Sequence, residues 1–153
     1  MVRKAVVGVI ALVAVLAATG FGLYLTNRAP VARPLTAAEI ASSGKPYVVK
    51  LHAQWCPKCR MTKGVWSQLA AEYDARVHMV VLDFTAESDT EASRAEAQRL
   101  GLSAVFDEYV GATGLVVVVD RHGGVTAEVG GTDVADYRAA IDAALASSAA
   151  PSE

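Results

Sequence analysis

Two cysteines three positions apart, in the run Trp55-Cys56-Pro57-Lys58-Cys59, constrain this chain more than any other feature. They are its only cysteines, so no disulfide framework spread along the chain can hold it together. A bond between the two closes a tiny loop and removes little chain entropy. The fold must rest on a hydrophobic core, and the pair is chemical rather than structural. Its neighbours agree. Residues 46 to 53, PYVVKLHA, read as a buried strand bounded by Gly44 and Pro46. Residues 57 to 74 read as a helix, with Met61, Val65, Leu69 and Tyr73 recurring as an apolar stripe. The motif therefore falls at a strand-to-helix junction.

That location gives the spacing its chemistry. Backbone N–H groups at a helix N-terminus point outward unpaired, and the helix dipole adds positive potential. A thiolate placed there is stabilised, and thiolate is the species that attacks disulfides. Pro57 suits the first helical turn, where its missing N–H costs nothing. Lys58 is expected to add a nearby positive charge. Cys56 should be the attacking nucleophile at the exposed helix tip, and Cys59, one turn in, the more buried resolving thiol. Trp55 is expected to shield the pair and to offer a partner an apolar surface.

The remaining chain alternates strands and helices. Residues 77 to 84 form a second expected strand, 91 to 100 a helix ending at Gly101, and 115 to 119 a central β-branched strand. After a turn at 120 to 124, residues 125 to 129 return as a hairpin partner. Gly130-Gly131 breaks the pattern, and residues 133 to 145 form a helix with Val134, Tyr137, Ile141 and Leu145 on one face. A short helix over 36 to 42, with Thr36 as its cap and Glu39 completing a capping box, precedes all of this. The order β, α, β, α, β, β, α implies an α/β domain with a central mixed sheet flanked by helices. The domain is expected over 37–147, with a disordered tail over 148–153.

Residues 5 to 26 carry no charge over 22 positions, and a helix needs about 20 apolar residues to cross a bilayer. They raise the hydrophobic share of the 153-residue chain to 53%, above the usual range of about 45–50%. Arg3 and Lys4 before the run hold that end in the cytoplasm by the positive-inside rule. Residues 1–26 are therefore expected to be a signal-anchor that spans the membrane once, and residues 27–36 a linker. Heavy Ala, Val and Arg usage suggests a bacterial inner membrane with the domain in the periplasm. The alternative is a signal peptide cleaved near Val15-Leu16-Ala17. Either compartment permits disulfide exchange.

Other chemistries fit less well. The net charge of −2 shows no clustered basic face for nucleic acid. Structural zinc needs four ligands, and His52, His78 and His122 have no metal-site spacing. A soft-metal role in metalloprotein assembly, with copper or zinc on the two thiols, is kept as a rival. No resident metal or cofactor is expected, and nothing signals oligomerisation, so a monomer is expected.

At this point the chain resembles the thioredoxin superfamily. YVVKLHAQWCPKC looks like the family's strand leading into W-C-x-x-C, and VVVVDRHGGV like its central strand and hairpin. VVLDFTAESD is similar to the matching region in the C-terminal domain of DsbD-type disulfide reductases. The resemblance implies a thioredoxin-like fold, dithiol–disulfide exchange with protein substrates, Cys56 as nucleophile and Cys59 as resolving cysteine. It also implies a membrane electron donor, and a substrate-binding rim of Trp55, Pro57, Lys58, Ala112 and Thr113.

Three departures stand out. Lys50 occupies the place of a buried acid that is thought to assist proton transfer at the resolving cysteine. A lysine in an apolar strand is costly unless paired or neutral. Charged, it would favour thiolate and ease reduction of the pair; alternatively it snorkels to an edge and does nothing. Thr113 stands where the family has a cis-proline, and no proline occurs between Pro57 and Pro151. Residues 103 to 110, SAVFDEYV, add length before the central strand. Phe106 and Tyr109 there are expected to pack under a loop, the alternative being that they cover the active site. The expected activity is thiol:disulfide oxidoreduction, with reductase preferred on the DsbD-type similarity and on Lys50, and a disulfide-forming oxidase as the rival.

Overall fold

A computed structural model describes residues 42–149, all within the second of two compact units, Leu35–Glu153. The expected membrane span, the linker and most of the short helix over 36 to 42 lie outside the described residues. Among the described residues, no helix is long and apolar enough to cross a membrane.

Strand β1 is Tyr47–His52, and five of its six residues are buried. A strand buried on both faces belongs in the middle of a sheet, and β1 is central. It pairs in parallel with β2, His78–Asp83, and antiparallel with β3, Leu115–Val119, which pairs antiparallel with β4, Val125–Val129. The sheet order is β2-β1-β3-β4. A parallel pair needs a crossover, supplied by α1, Pro57–Met61, and α2, Lys63–Tyr73. Helices α3, Glu87–Leu100, and α4, Ser103–Tyr109, lead from β2 to β3. Helix α5, Val134–Ala149, closes the domain.

Alternation along β1 builds two cores. Tyr47, Val49 and Leu51 join Ala97, Leu100, Val105 and Phe106 on one face. Val48 joins Leu69, Tyr73, Tyr137 and Ile141 on the other. The mixed sheet with helices on both faces is the architecture the element order implied.

Four local expectations need correcting. The helix over 57 to 74 is two helices that meet at Thr62. The Thr62 hydroxyl donates to the carbonyls of Lys58 at 3.0 Å and Cys59 at 3.4 Å, back-bonding that bends helices. The bend takes Met61 off the apolar stripe and leaves it exposed, while Leu69 and Tyr73 stay buried. Helix α3 starts at Glu87 rather than 91. Its cap position is Ala86, which has no capping side chain, and Asp89 accepts the Ala86 N–H instead at 3.2 Å. Residues 103 to 109 form a helix rather than a loop, with Phe106 and Tyr109 buried in the core, so they pack and do not cover the cysteines. Helix α5 runs past Leu145 to Ala149, and the Arg121 guanidinium donates to the Ser148 carbonyl at 2.9 Å.

Candidate active site

Because β1 and β3 are antiparallel, the end of β1 and the start of β3 share one edge of the sheet, with Leu51 opposite Leu115. The Cys-bearing turn follows β1 and the 111–114 loop precedes β3, so the two segments meet. Gly114 N–H donates to the Leu51 carbonyl at 2.9 Å and ties the loop down. Cys59 Sγ lies 3.7 Å from that same carbonyl.

Cys56 caps α1 from an extended backbone, and its Sγ accepts the Cys59 N–H at 3.3 Å. Pro57 takes the first helical position, as expected. Cys56 is 5% exposed and Cys59 1%. The nucleophile therefore sits at the helix tip but is not broadly exposed, a correction to the sequence expectation. The order of burial is the expected one. Both thiols are free in this structure.

Burial pushes the Cys56 thiol up. Hydrogen bonds from the Cys59 thiol, the Thr113 hydroxyl and the backbone N–H groups of Cys59 and Lys58 outweigh it and hold Cys56 below an ordinary cysteine. Cys59 moves the other way. Burial and its hydrogen bond with Cys56 raise it, against smaller lowering effects from the Ala53 backbone and the Lys50 ammonium. The asymmetry matches the two roles: one sulfur ready to attack, one held protonated until needed.

Lys50 does not snorkel to an edge. It is 7% exposed, in register between Val81 of β2 and Val116 of β3, with its ammonium 5.4 Å from the Trp66 ring centre. Burial lowers its pKa, and the nearby Cys59 raises it. Lys58 is different. Its aliphatic stem lies across Gly114 and its Nζ reaches Gly130, where an added Cβ would come within 2.7 Å. What Lys58 gives Cys56 is its backbone N–H, not the expected charge. Trp55 is largely exposed, and its Nε1–H donates to the Thr85 carbonyl at 3.3 Å. Ala112 is exposed and Thr113 half-buried, and among the described residues no peptide is cis.

Three features were not anticipated. Thr85 anchors the motif, accepting the Gln54 N–H at 2.9 Å while its own hydroxyl donates to Asp83. The Thr113 hydroxyl helps to lower the Cys56 pKa, although the sequence marks its position only as a departure and as part of the substrate rim. His52 carries a buried Nδ1 with no hydrogen-bond partner. Thr85 and His52 have no local sequence signal, because their partners and surroundings are assembled by the tertiary fold. Among the described residues no group of three or more His, Cys, Asp or Glu side chains could hold a metal, so a soft metal would meet two sulfurs alone.

The family model described as Thioredoxin matches residues 35–98, a stretch that contains β1, the cysteine pair and β2. The match covers 64 of the 153 residues, the segment that carries the cysteine pair. No curated protein matches it in sequence. Several solved thioredoxin-superfamily structures are similar. A thiol:disulfide interchange protein of Chlorobium tepidum TLS is 22% identical, covering 73% of this chain and 86% of its own, with a TM-score of 0.47. A secreted Mycobacterium tuberculosis disulfide oxidoreductase homologous to E. coli DsbE is 19% identical, covering 65% and 82%, with a TM-score of 0.46. Thioredoxin of Fasciola hepatica is 23% identical, covering 71% and 93%, also at 0.46. At these identities and TM-scores the likenesses carry no argument of their own.

The Thr113 contact has a measurable consequence. Removing one hydrogen bond to the Cys56 thiolate in Thr113→Val should cut the thiolate fraction at neutral pH by about two- to tenfold. Iodoacetamide alkylation rates followed across pH will show the Cys56 midpoint moving upward; an unchanged midpoint removes Thr113 from the site.

Proposed function

We propose that this chain is a thiol:disulfide oxidoreductase of the thioredoxin superfamily, membrane-anchored and extracytoplasmic, that works as a protein-disulfide reductase. The observation that carries the direction is how Cys56 is held down. Hydrogen bonds alone favour its thiolate, and no cation is among the causes. Without a cation, the site lacks one feature that drives a thiol toward the about 3.5 of a strong oxidant rather than the about 7 of a thioredoxin. A pair whose reduced form is only modestly stabilised gives up its electrons readily. The similarity of VVLDFTAESD to DsbD-type reductases supports the same direction. Lys50 argues the other way, contrary to the expectation from sequence. A cation beside Cys59 favours the reduced form and makes the pair more oxidising, and burial, which lowers the Lys50 pKa, limits that pull.

The Cys56 thiolate attacks one sulfur of a substrate disulfide. The substrate S–S bond breaks, and the departing sulfur takes a proton. Cys59 then loses its proton, attacks Cys56 Sγ and releases the second substrate thiol. Two electrons have passed to the substrate, and the Cys56–Cys59 disulfide remains. A dithiol donor in the membrane restores the pair. Lys50, beside Cys59, favours the thiolate in the second step. Trp55, Pro57, Lys58, Ala112 and Thr113 form the rim that receives the substrate chain.

The placement rests on residues 5 to 26, which are long and apolar enough to hold the domain at a membrane. The direction is tested by redox equilibration with glutathione buffers. A potential near about −270 mV is expected; a value near about −120 mV makes the protein an oxidase.

A further inference from the structure

Cys59 lines a groove of about 420 Å³. Its size is that of a small-molecule site. Lys50, His52, Arg60 and Lys63 line it, and no carboxylate among the described residues does. Trp66 and Val81 add apolar surface. The Lys50 ammonium faces this space with no carboxylate partner among the described residues. The second cavity that Lys50 lines is about 10 Å³, room for one water. His52 Nδ1 is buried and unsatisfied beside it. A buried cation without a counter-charge and a buried nitrogen without a partner are both costly. Here both lie against one open, positively lined groove, between the sheet and the start of α2.

We propose that this groove binds a small anion whose carboxylate or phosphate group pairs with Lys50, with Arg60 and Lys63 at the mouth and the Trp66 ring as a wall. Binding requires no redox step, so the site stands apart from the reductase reading. It does reach the chemistry. A seated anion offsets the positive potential that Lys50 exerts on Cys59 and leaves the resolving thiol harder to ionise.

The test is a ¹⁵N NMR titration of the full, reduced chain with benzoate and, separately, with inorganic phosphate. A parallel titration with sodium chloride at matched ionic strength serves as the control. At least one of the two anions should give saturable shifts at Lys50, Cys59 and Trp66 larger than those chloride produces. A response to benzoate alone assigns an organic carboxylate; a response to phosphate assigns a phosphate-bearing ligand. Lys50→Met should weaken binding by about tenfold or more. Arg60→Gln combined with Lys63→Gln, both at the exposed mouth, should weaken it by about threefold or more and decides the matter if Lys50→Met fails to fold. Shifts no larger than those in chloride overturn the proposal. So does unchanged affinity in folded Lys50→Met, or, where that variant does not fold, unchanged affinity in the double variant.

Discussion

Cys56→Ser will bring insulin reduction down to the uncatalysed background, a loss of more than about 10³-fold. A hydroxyl in place of the sulfur leaves the α1 cap nearly intact, so folding should survive while the nucleophile disappears. Cys59→Ser should behave differently. Cys56 still attacks, but nothing resolves the product, and the chain accumulates as a mixed disulfide visible on a non-reducing gel. The contrast follows from the two environments. Hydrogen bonding holds the Cys56 thiol down, whereas burial pushes the Cys59 thiol up. Equal trapping by both variants would mean that either sulfur can attack and would remove the assigned order.

Gly114→Ala should destabilise the domain by roughly 2–4 kcal/mol, more than any other substitution considered outside the cysteines. Two effects combine. Gly114 has φ +82, which an L side chain adopts only with strain, and an added Cβ would lie 2.9 Å from the Lys58 stem. Gly111 serves as the control, since its φ is +84 but nothing lies within 4 Å of its added Cβ. Gly111→Ala should cost only the conformational part, roughly 1–2 kcal/mol. In thermal unfolding the Gly114 variant should fall by about 10 °C or more. Equal losses for the two variants would show that Lys58 simply moves aside. The Gly114 N–H also holds the Leu51 carbonyl beside Cys59, so the same variant should slow insulin reduction.

Much of this fold was legible because its strands and helices carry clean periods. β1 is a β-rich run bounded by Gly44 and Pro46, β3 is β-branched throughout after Leu115, and Gly101 ends α3 with φ +75. The cysteine pair was legible because its chemistry depends on a local feature, a helix start. What escaped had an ambiguous local signal or was set by long-range partners. The Thr62 bend depends on a hydroxyl that can serve either a straight or a bent helix. The early start of α3 hid because its cap position is an alanine. Residues 103–109 read as inserted length because their apolar positions, Val105, Phe106 and Tyr109, are too few to show a period. Lys50 could be placed in a strand from sequence, but only the folded domain shows it flanked by Val81 and Val116 and set against Trp66.

The antiparallel pairing of β1 with β3 carries one more implication. The motif and Thr113 are more than fifty residues apart, and they touch only once that strand pair has zipped shut. A chain still emerging from the ribosome can draw on the helix-start donors of Cys59 and Lys58, but not on the Thr113 hydroxyl. The last share of the tuning at Cys56 therefore arrives only with the finished domain.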